Sequence, residues 1–248
     1  MKNVNWLKEK VAAHRGLHDN INFPENSLAA YKNAVDHGYN IEMDVWLTDS
    51  NVLIMHHDPS LKRTAGQNVK ATQLDTNNLE QYKLFGTQEH VPTFDEMLKT
   101  IDGKVNLIIE IKPTHRVQET CEAVMKRLKE YNGTYCLESF DLRVVNYIHK
   151  HYPDVILGQL YDHIWLQRFA AKICGQYKKV DFLAINVKDT HWKYYDKIRK
   201  NHPDKIFVVW TVRSKEQQLD AKLSCDTYIF ETNIKNKDYI DLPEPNIQ

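Results

Sequence analysis

The run Ile206-Phe207-Val208-Val209-Trp210-Thr211-Val212, followed by the helix-like stretch Lys215–Leu223 and then by Thr227-Tyr228-Ile229-Phe230, decides the fold. Two apolar runs of strand length flank one segment of helical length. Strands that alternate with helices favour a parallel sheet covered by helices. Working back along the chain, the same alternation recurs. Strands are expected near residues 11, 41, 105, 135, 155, 180 and 206, with the last near 227. Helices are expected over Ser27–Val35, Thr93–Ile101 (with Thr93 and Glu96 as a capping box), Val117–Tyr131, Leu142–His151, Ile164–Ile173, Trp192–Asn201 and Lys215–Leu223. Val52–Met55 reads as a hairpin arm returning from the second strand across the turn Asp49-Ser50-Asn51. Eight such units in 248 residues match an α/β architecture of (β/α)8 TIM-barrel size. An open doubly wound sheet is disfavoured because no GxGxxG turn follows the first strand. The expectation is one domain over residues 1–248, with a small polar insertion at about 59–90 after the second barrel strand.

Composition narrows the function. Lys and Arg number 33 and Asp and Glu 33, so the formal net charge is zero and no broad field attracts polyanions. Nucleic-acid binding is not expected, and any anionic ligand needs a local cluster of cations. Cys121, Cys136, Cys174 and Cys225 form no CxxC pair and read as reduced structural thiols. No stretch reaches the roughly 18 apolar residues of a membrane span, and no signal peptide is visible. A cytoplasmic protein without stable membrane association is expected.

The informative residues are charges where barrel strands should be apolar. In Ile41-Glu42-Met43-Asp44-Val45 two acids stand two residues apart, on one face of the strand. Ile109-Glu110-Ile111-Lys112 repeats the pattern with an acid and a base, the first strand ends in His14-Arg15, and the hairpin arm ends in His56-His57-Asp58. A lone alternating strand is most simply half exposed. Several of them in a helix-covered sheet are not, and buried carboxylates must be paired or bound to metal. The C-terminal ends of barrel strands are also where barrel enzymes hold their chemistry. Glu42, Asp44 and Glu110 form an all-oxygen donor set suited to a hard divalent cation, Mg2+ or Ca2+, with Mn2+ also compatible. Arg15 and Lys112 supply fixed positive charge for a phosphate, and His14 and His57 suit general acid–base catalysis.

His14-Arg15-Gly16, Pro24-Glu25-Asn26-Ser27, Ile41-Glu42-Met43-Asp44-Val45, His57-Asp58 with Leu61, Arg63 and Thr64, and Glu110-Ile111-Lys112 together resemble the glycerophosphodiester phosphodiesterase family. Ser139-Phe140-Asp141 and Trp210-Thr211-Val212 resemble it as well, and the match runs from residue 11 to about 233. The resemblance implies a (β/α)8 barrel that cleaves glycerophosphodiesters to glycerol 3-phosphate and an alcohol. It implies a cation held by Glu42, Asp44 and Glu110, His14 and His57 as the acid–base pair, and Arg15 and Lys112 on the phosphate. It also places Trp210 and Phe140, whose default role is core packing, as walls of the substrate site. The last strand departs from the family pattern: Asp226-Thr227-Tyr228-Ile229-Phe230-Glu231-Thr232-Asn233 carries a bulky Phe230 and lacks the usual proline.

Two other functions fit parts of the sequence. A lysophospholipase D or phospholipase acting on a lipid phosphodiester would need an apolar rim, and the insertion is mostly polar. A non-catalytic binding module would have lost a ligand or a histidine, and none is missing. Of the remaining groups, Asn26 is expected to N-cap the first helix with Glu25 beside it, and Asp58 either orients His57 or caps a turn. His18, His37 and His90 are expected at the surface.

Overall fold

The computed structural model describes residues 2–162, 176–191, 193–232 and 242–247. The β/α units follow the expected order. Strands β1 (Ala12–Ala13), β2 (Asn40–Leu47), β4 (Leu107–Ile111), β5 (Tyr135–Ser139), β6 (Leu157–Tyr161), β7 (Phe182–Asn186), β8 (Ile206–Val212) and β9 (Thr227–Phe230) are the barrel strands, and β3 (Leu53–Met55) is the hairpin arm. Helices α1 (Leu28–Asp36), α3 (Phe94–Ile101), α4 (Val117–Leu128), α5 (Leu142–His151), α6 (Lys193–Asn201) and α7 (Lys215–Ser224) join them, with α2 (Lys62–Ala65) in the insertion. The fold is a (β/α)8 barrel. The helix expected over Ile164–Ile173 lies outside the described residues, as do Trp192 and Cys174. Among the described residues, Cys121, Cys136 and Cys225 form no disulfide with one another.

Two compact units divide the chain, Ala13–Tyr135 and Met1–Ala12 with Cys136–Gln248. In the first, β2 runs antiparallel to β3, with Val45 opposite Met55, and parallel to β4, with Asp44 opposite Glu110. Every residue of β2 and β4 is buried, as expected of strands covered on both faces. The capping box of α3 forms: Thr93 Oγ1 accepts from Glu96 N at 3.2 Å, and Glu96 Oε2 accepts from Thr93 N at 2.8 Å. The insertion is irregular as expected, but it is not merely polar. Leu61, Ala71, Leu74, Leu79, Tyr82 and Leu84 pack with Trp46 and Ile54 into a core of its own, leaving Asn68, Asn77, Asn78 and Glu80 exposed.

In the second unit β6, β7, β8 and β9 are successive parallel neighbours. Gly158 lies opposite Phe182, and a Cβ at Gly158 would stand 2.2 Å from the Phe182 ring. Phe182 is fully buried. Gly158→Ala should therefore destabilise the protein by about 1–3 kcal/mol, the usual cost of overpacking, read as a lower urea midpoint at unchanged slope. An unchanged midpoint would show that the ring has somewhere to go. Among the described residues, no helix is long and apolar enough to cross a membrane.

Candidate active site

The parallel register that sets Asp44 beside Glu110 brings the charged ends of β2 and β4 together, and strand alternation puts Glu42 on the face of Asp44. One carboxylate oxygen from each of Glu42, Asp44 and Glu110 lies within 4.8 Å of the others. All three residues are buried, at 3, 1 and 5% exposure. Lys112 Nζ stands 2.8 Å from Glu110 Oε1 and 3.2 Å from Asp44 Oδ1. Arg15 Nε lies 3.5 Å from Asp44 Oδ2, and the Arg15 backbone N–H donates to Glu42 Oε2 at 3.1 Å. His14 Nε2 is 3.8 Å from Glu42 Oε2. Every sequence-predicted residue of the first unit therefore belongs to one cluster or its border.

The backbone explains the spelling His14-Arg15-Gly16. Arg15 and Gly16 both have left-handed φ, 55° and 80°. A Cβ on Gly16 would approach the Ala30 carbonyl carbon to 2.9 Å, so only glycine lets the chain turn this close to α1. The turn returns Arg15 toward the mouth of β2. Asn26, also at positive φ (55°), donates from its own N–H to Arg15 O at 2.9 Å.

Asn26 corrects the expectation from sequence. It does not cap α1; Ser27 does, its Oγ accepting from Ala30 N at 3.1 Å. Asn26 instead donates from Nδ2 to Asp44 Oδ2 at 2.8 Å and accepts from the Tyr31 hydroxyl at 2.8 Å. Glu25 is likewise more than a helix flank. It is 4% exposed and holds Arg15 Nη1 at 2.6 Å and Arg63 Nη1 and Nη2 at 2.6 and 2.7 Å. His18 is buried, not a surface residue.

The two adjacent histidines separate as strand alternation predicts. His56 points into the insertion, with Nδ1 2.8 Å from Asp58 O and Nε2 2.8 Å from Thr64 Oγ1. His57 has a half-exposed ring whose Nδ1 lies 2.7 Å from Asp58 Oδ1. Asp58 therefore orients His57, and Arg63 Nε in turn donates to Asp58 Oδ2 at 2.7 Å.

Charge and burial compete at each group. Burial alone would raise the Asp44 carboxyl, but Lys112, His57, Arg15 and His14 hold it well below the usual carboxylate range. Glu110 moves the other way: burial and the neighbouring Asp44 charge push it up against the pull of Lys112. Burial would raise Glu25 as well, yet the hydrogen bonds from Arg63 and the charges of Arg15 and Arg63 hold it at about 2. Burial lowers the His57 imidazole below its ordinary value, against the opposing pull of Asp44. Among the described residues, Arg15 and Lys112 are the cations paired with these three buried carboxylates, and Arg15 also pairs with Glu25, so negative charge is in excess in a site of low exposure. That excess and the all-oxygen donor set fit a hard divalent cation.

Phe140 and Trp210 belong to the second unit, where their rings meet edge to face at 5.5 Å between centroids and 83° between planes. Trp210 is partly exposed on β8, so it is not an ordinary core residue.

A (β/α)8 barrel with this constellation at its strand ends defines a class, the phosphoric diester hydrolases. Residues 14–229 match the sequence profile of the Glycerophosphoryl diester phosphodiesterase family, and the chain belongs to that family. A glycerophosphodiester phosphodiesterase from Caldanaerobacter subterraneus subsp. tengcongensis is 34% identical over 166 residues, 62% of this chain and 68% of the relative. A lysophospholipase D from Rattus norvegicus is 25% identical over 144 residues, 52% of this chain and 45% of the relative's length. Among solved structures, an Oleispira antarctica phosphodiesterase in complex with sn-glycerol-3-phosphate aligns with a TM-score of 0.76 at 21% identity, covering 89% of this chain and 92% of that one. A glycerophosphodiester phosphodiesterase from Thermotoga maritima aligns at 0.73 with 22% identity, covering 89% and 94%. At those identities the structural likeness speaks to the fold.

Proposed function

We propose that the protein hydrolyses glycerophosphodiesters to glycerol 3-phosphate and an alcohol, by histidine acid–base catalysis assisted by one divalent cation, Mg2+ or Ca2+. The observation that carries this reading is the buried cluster of Glu42, Asp44 and Glu110, braced by Lys112 and Arg15 and flanked by His14 and His57. The 34% identical relative named for this activity supports the substrate class. In this reading the function is carried by a single barrel domain spanning residues 1–248, acting on a small soluble substrate in the cytoplasm.

Glu42, Asp44 and Glu110 would hold the cation, whose chemistry is to polarise the phosphoryl oxygens and offset charge that gathers in the transition state. Arg15 and Lys112 orient the phosphodiester through charge-assisted hydrogen bonds. With the cation present the site sums to one positive charge, which complements one monoanionic diester. His14, beside Glu42, accepts the proton of the attacking hydroxyl at Nε2. His57, its Nδ1 fixed by Asp58, delivers a proton from Nε2 to the departing alkoxide. The family resemblance assigns Phe140 and Trp210 to the alcohol end of the substrate.

A lipid substrate is the second reading, suggested by the lysophospholipase D relative. The insertion argues against it, because its apolar residues are used up in their own core. One panel tests both readings: glycerophosphocholine, glycerophosphoethanolamine, glycerophosphoinositol and lysophospholipids, each with Mg2+, with Ca2+ and after chelation. Turnover of the glycerophosphodiesters should fall about 10³-fold on chelation, the loss of several kcal/mol of charge stabilisation, and return with the cation. Chelator-insensitive turnover would remove the cation from the mechanism. Preference for lysophospholipids with binding to vesicles would replace the substrate.

A further inference from the structure

The insertion helix α2 grips both histidines at the end of β3 with consecutive side chains. Thr64 Oγ1 meets His56 Nε2, and Arg63 meets Asp58, which holds His57 Nδ1. Arg63 spends its whole fork this way: Nε and Nη2 donate to Asp58 at 2.7 and 3.1 Å, and Nη1 and Nη2 donate to Glu25 at 2.6 and 2.7 Å. Glu25 then reaches Arg15 Nη1 at 2.6 Å. Asn20 fixes Glu25 from the other side, donating Nδ2 to Oε2 at 3.3 Å and accepting the Glu25 backbone N–H at 2.8 Å.

The run Arg15–Glu25–Arg63–Asp58–His57 alternates guanidinium groups with carboxylates, with His57 at one end and Arg15, which also faces Asp44, at the other. A simple staple for the insertion would need neither terminus to matter. Here one terminus is the arginine proposed to hold the phosphate, and the other is the histidine proposed to protonate the leaving group. Planar bidentate pairs fix direction as well as distance. The Asp58 contact also selects the tautomer: with Nδ1–H donated to Asp58, Nε2 is the nitrogen that takes up a proton, and the imidazolium so formed gives that proton up from Nε2.

We propose that Glu25 and Arg63 are positioning residues for the reaction, a bridge from buried Glu25 to exposed Arg63 that sets the phosphate-holding Arg15 and the proton-delivering His57 at fixed orientation to each other. The inference rests on the role given above to His57, and it makes the insertion part of the catalytic apparatus. Arg63 holds Asp58 directly and reaches Arg15 only through Glu25, so Arg63→Ala should lower kcat about 10–100-fold, the cost of a misplaced catalytic group, with a smaller effect on KM. Glu25 serves both ends, so Glu25→Gln should lower kcat similarly and raise KM as well, since Arg15 loses its anchor.

The test is a double-mutant cycle of Arg63→Ala with His57→Ala, assayed on glycerophosphoethanolamine and on a glycerol p-nitrophenyl phosphodiester. In the His57→Ala background Arg63→Ala should cost less than about twofold further, because the group it positions is already gone. Equal losses in both backgrounds, or no loss in either, would overturn the proposal. Activated leaving groups need no protonation, so Arg63→Ala should cost much less on the p-nitrophenyl substrate than on glycerophosphoethanolamine, and a cooperative urea transition shows separately that each variant is folded. Guanidinium added to Arg63→Ala should restore part of kcat, an effect that a general loss of packing would not show. If His57→Ala loses both substrates equally, the proton donor has been misassigned, and the cycle still decides the bridge separately.

Discussion

Asp44→Asn should reduce turnover of glycerophosphodiesters by about 10³-fold or more while the protein remains folded. Asp44 is the centre of the cluster. It is 1% exposed, accepts from Asn26 Nδ2 at 2.8 Å, and stands 3.2 Å from Lys112 Nζ and 3.5 Å from Arg15 Nε. The amide can keep the Asn26 contact through Oδ1. Its Nδ2 must then face Lys112, donor against donor, and both Lys112 and Arg15 lose a neutralising charge. A neutral amide is also a weaker ligand for a hard cation than a carboxylate. The variant should therefore bind Mg2+ or Ca2+ less tightly and misdirect the two groups that hold the phosphate. Steady-state kinetics over a cation titration checks this. Activity within tenfold of the parent at saturating cation would remove Asp44 from the ligand set.

That three carboxylates gather at one place was legible in the sequence, because Glu42-Met43-Asp44 and Glu110-Ile111-Lys112 put charge into runs that barrel burial should keep apolar. The parallel pairing of Asp44 with Glu110 then follows from two strands whose polar ends share a face. Phe140 and Trp210 were legible only through family resemblance, since an aromatic at a strand end has the same local pattern in a core as in a pocket. The roles of Glu25, Asn26 and Arg63 were not legible. Each is specified by tertiary contacts that span 10, 18 and 38 positions of sequence, as in Arg15–Glu25, Asn26–Asp44 and Arg63–Glu25. Asn26 misled most, because an Asn just before a helical run has the pattern of an N-cap. The cap fell to Ser27 because Asn26 adopts a left-handed φ that sends its side chain to Asp44. The insertion core was hidden for a different reason: Leu61, Leu74, Leu79 and Leu84 follow neither a strand nor a helix period.

Lys112→Met should lower the stability of the cation-free protein by about 3–5 kcal/mol, the usual cost of removing one partner from a buried charge pair. For a chain of this length that is a fall of about 10 °C in Tm. The cause lies in the arithmetic of the cluster. Lys112 is 7% exposed and bridges Glu110 and Asp44, and without it Arg15 alone faces three carboxylates. The Glu110 carboxyl, already pushed up by burial and by Asp44, loses the one neighbour that pulls it down. A carboxyl whose folded pKa lies above its unfolded value stabilises the fold below the unfolded pKa and ceases to do so as pH rises through the folded one. The parent loses this contribution as pH rises to about 7, where its Glu110 titrates, and the variant goes on losing it beyond that, so the deficit of the variant should grow above about pH 7. A divalent cation binds only the folded cluster, so it should raise Tm in both proteins, and more in Lys112→Met, where one more negative charge awaits it. Turnover should stay depressed even at saturating cation, because the ammonium group that orients the phosphodiester is gone. Thermal melts at three pH values, with and without Mg2+ or Ca2+, read all of this. A variant whose Tm gains no more from the cation than the parent's would show that Glu42, Asp44 and Glu110 do not form the cation site.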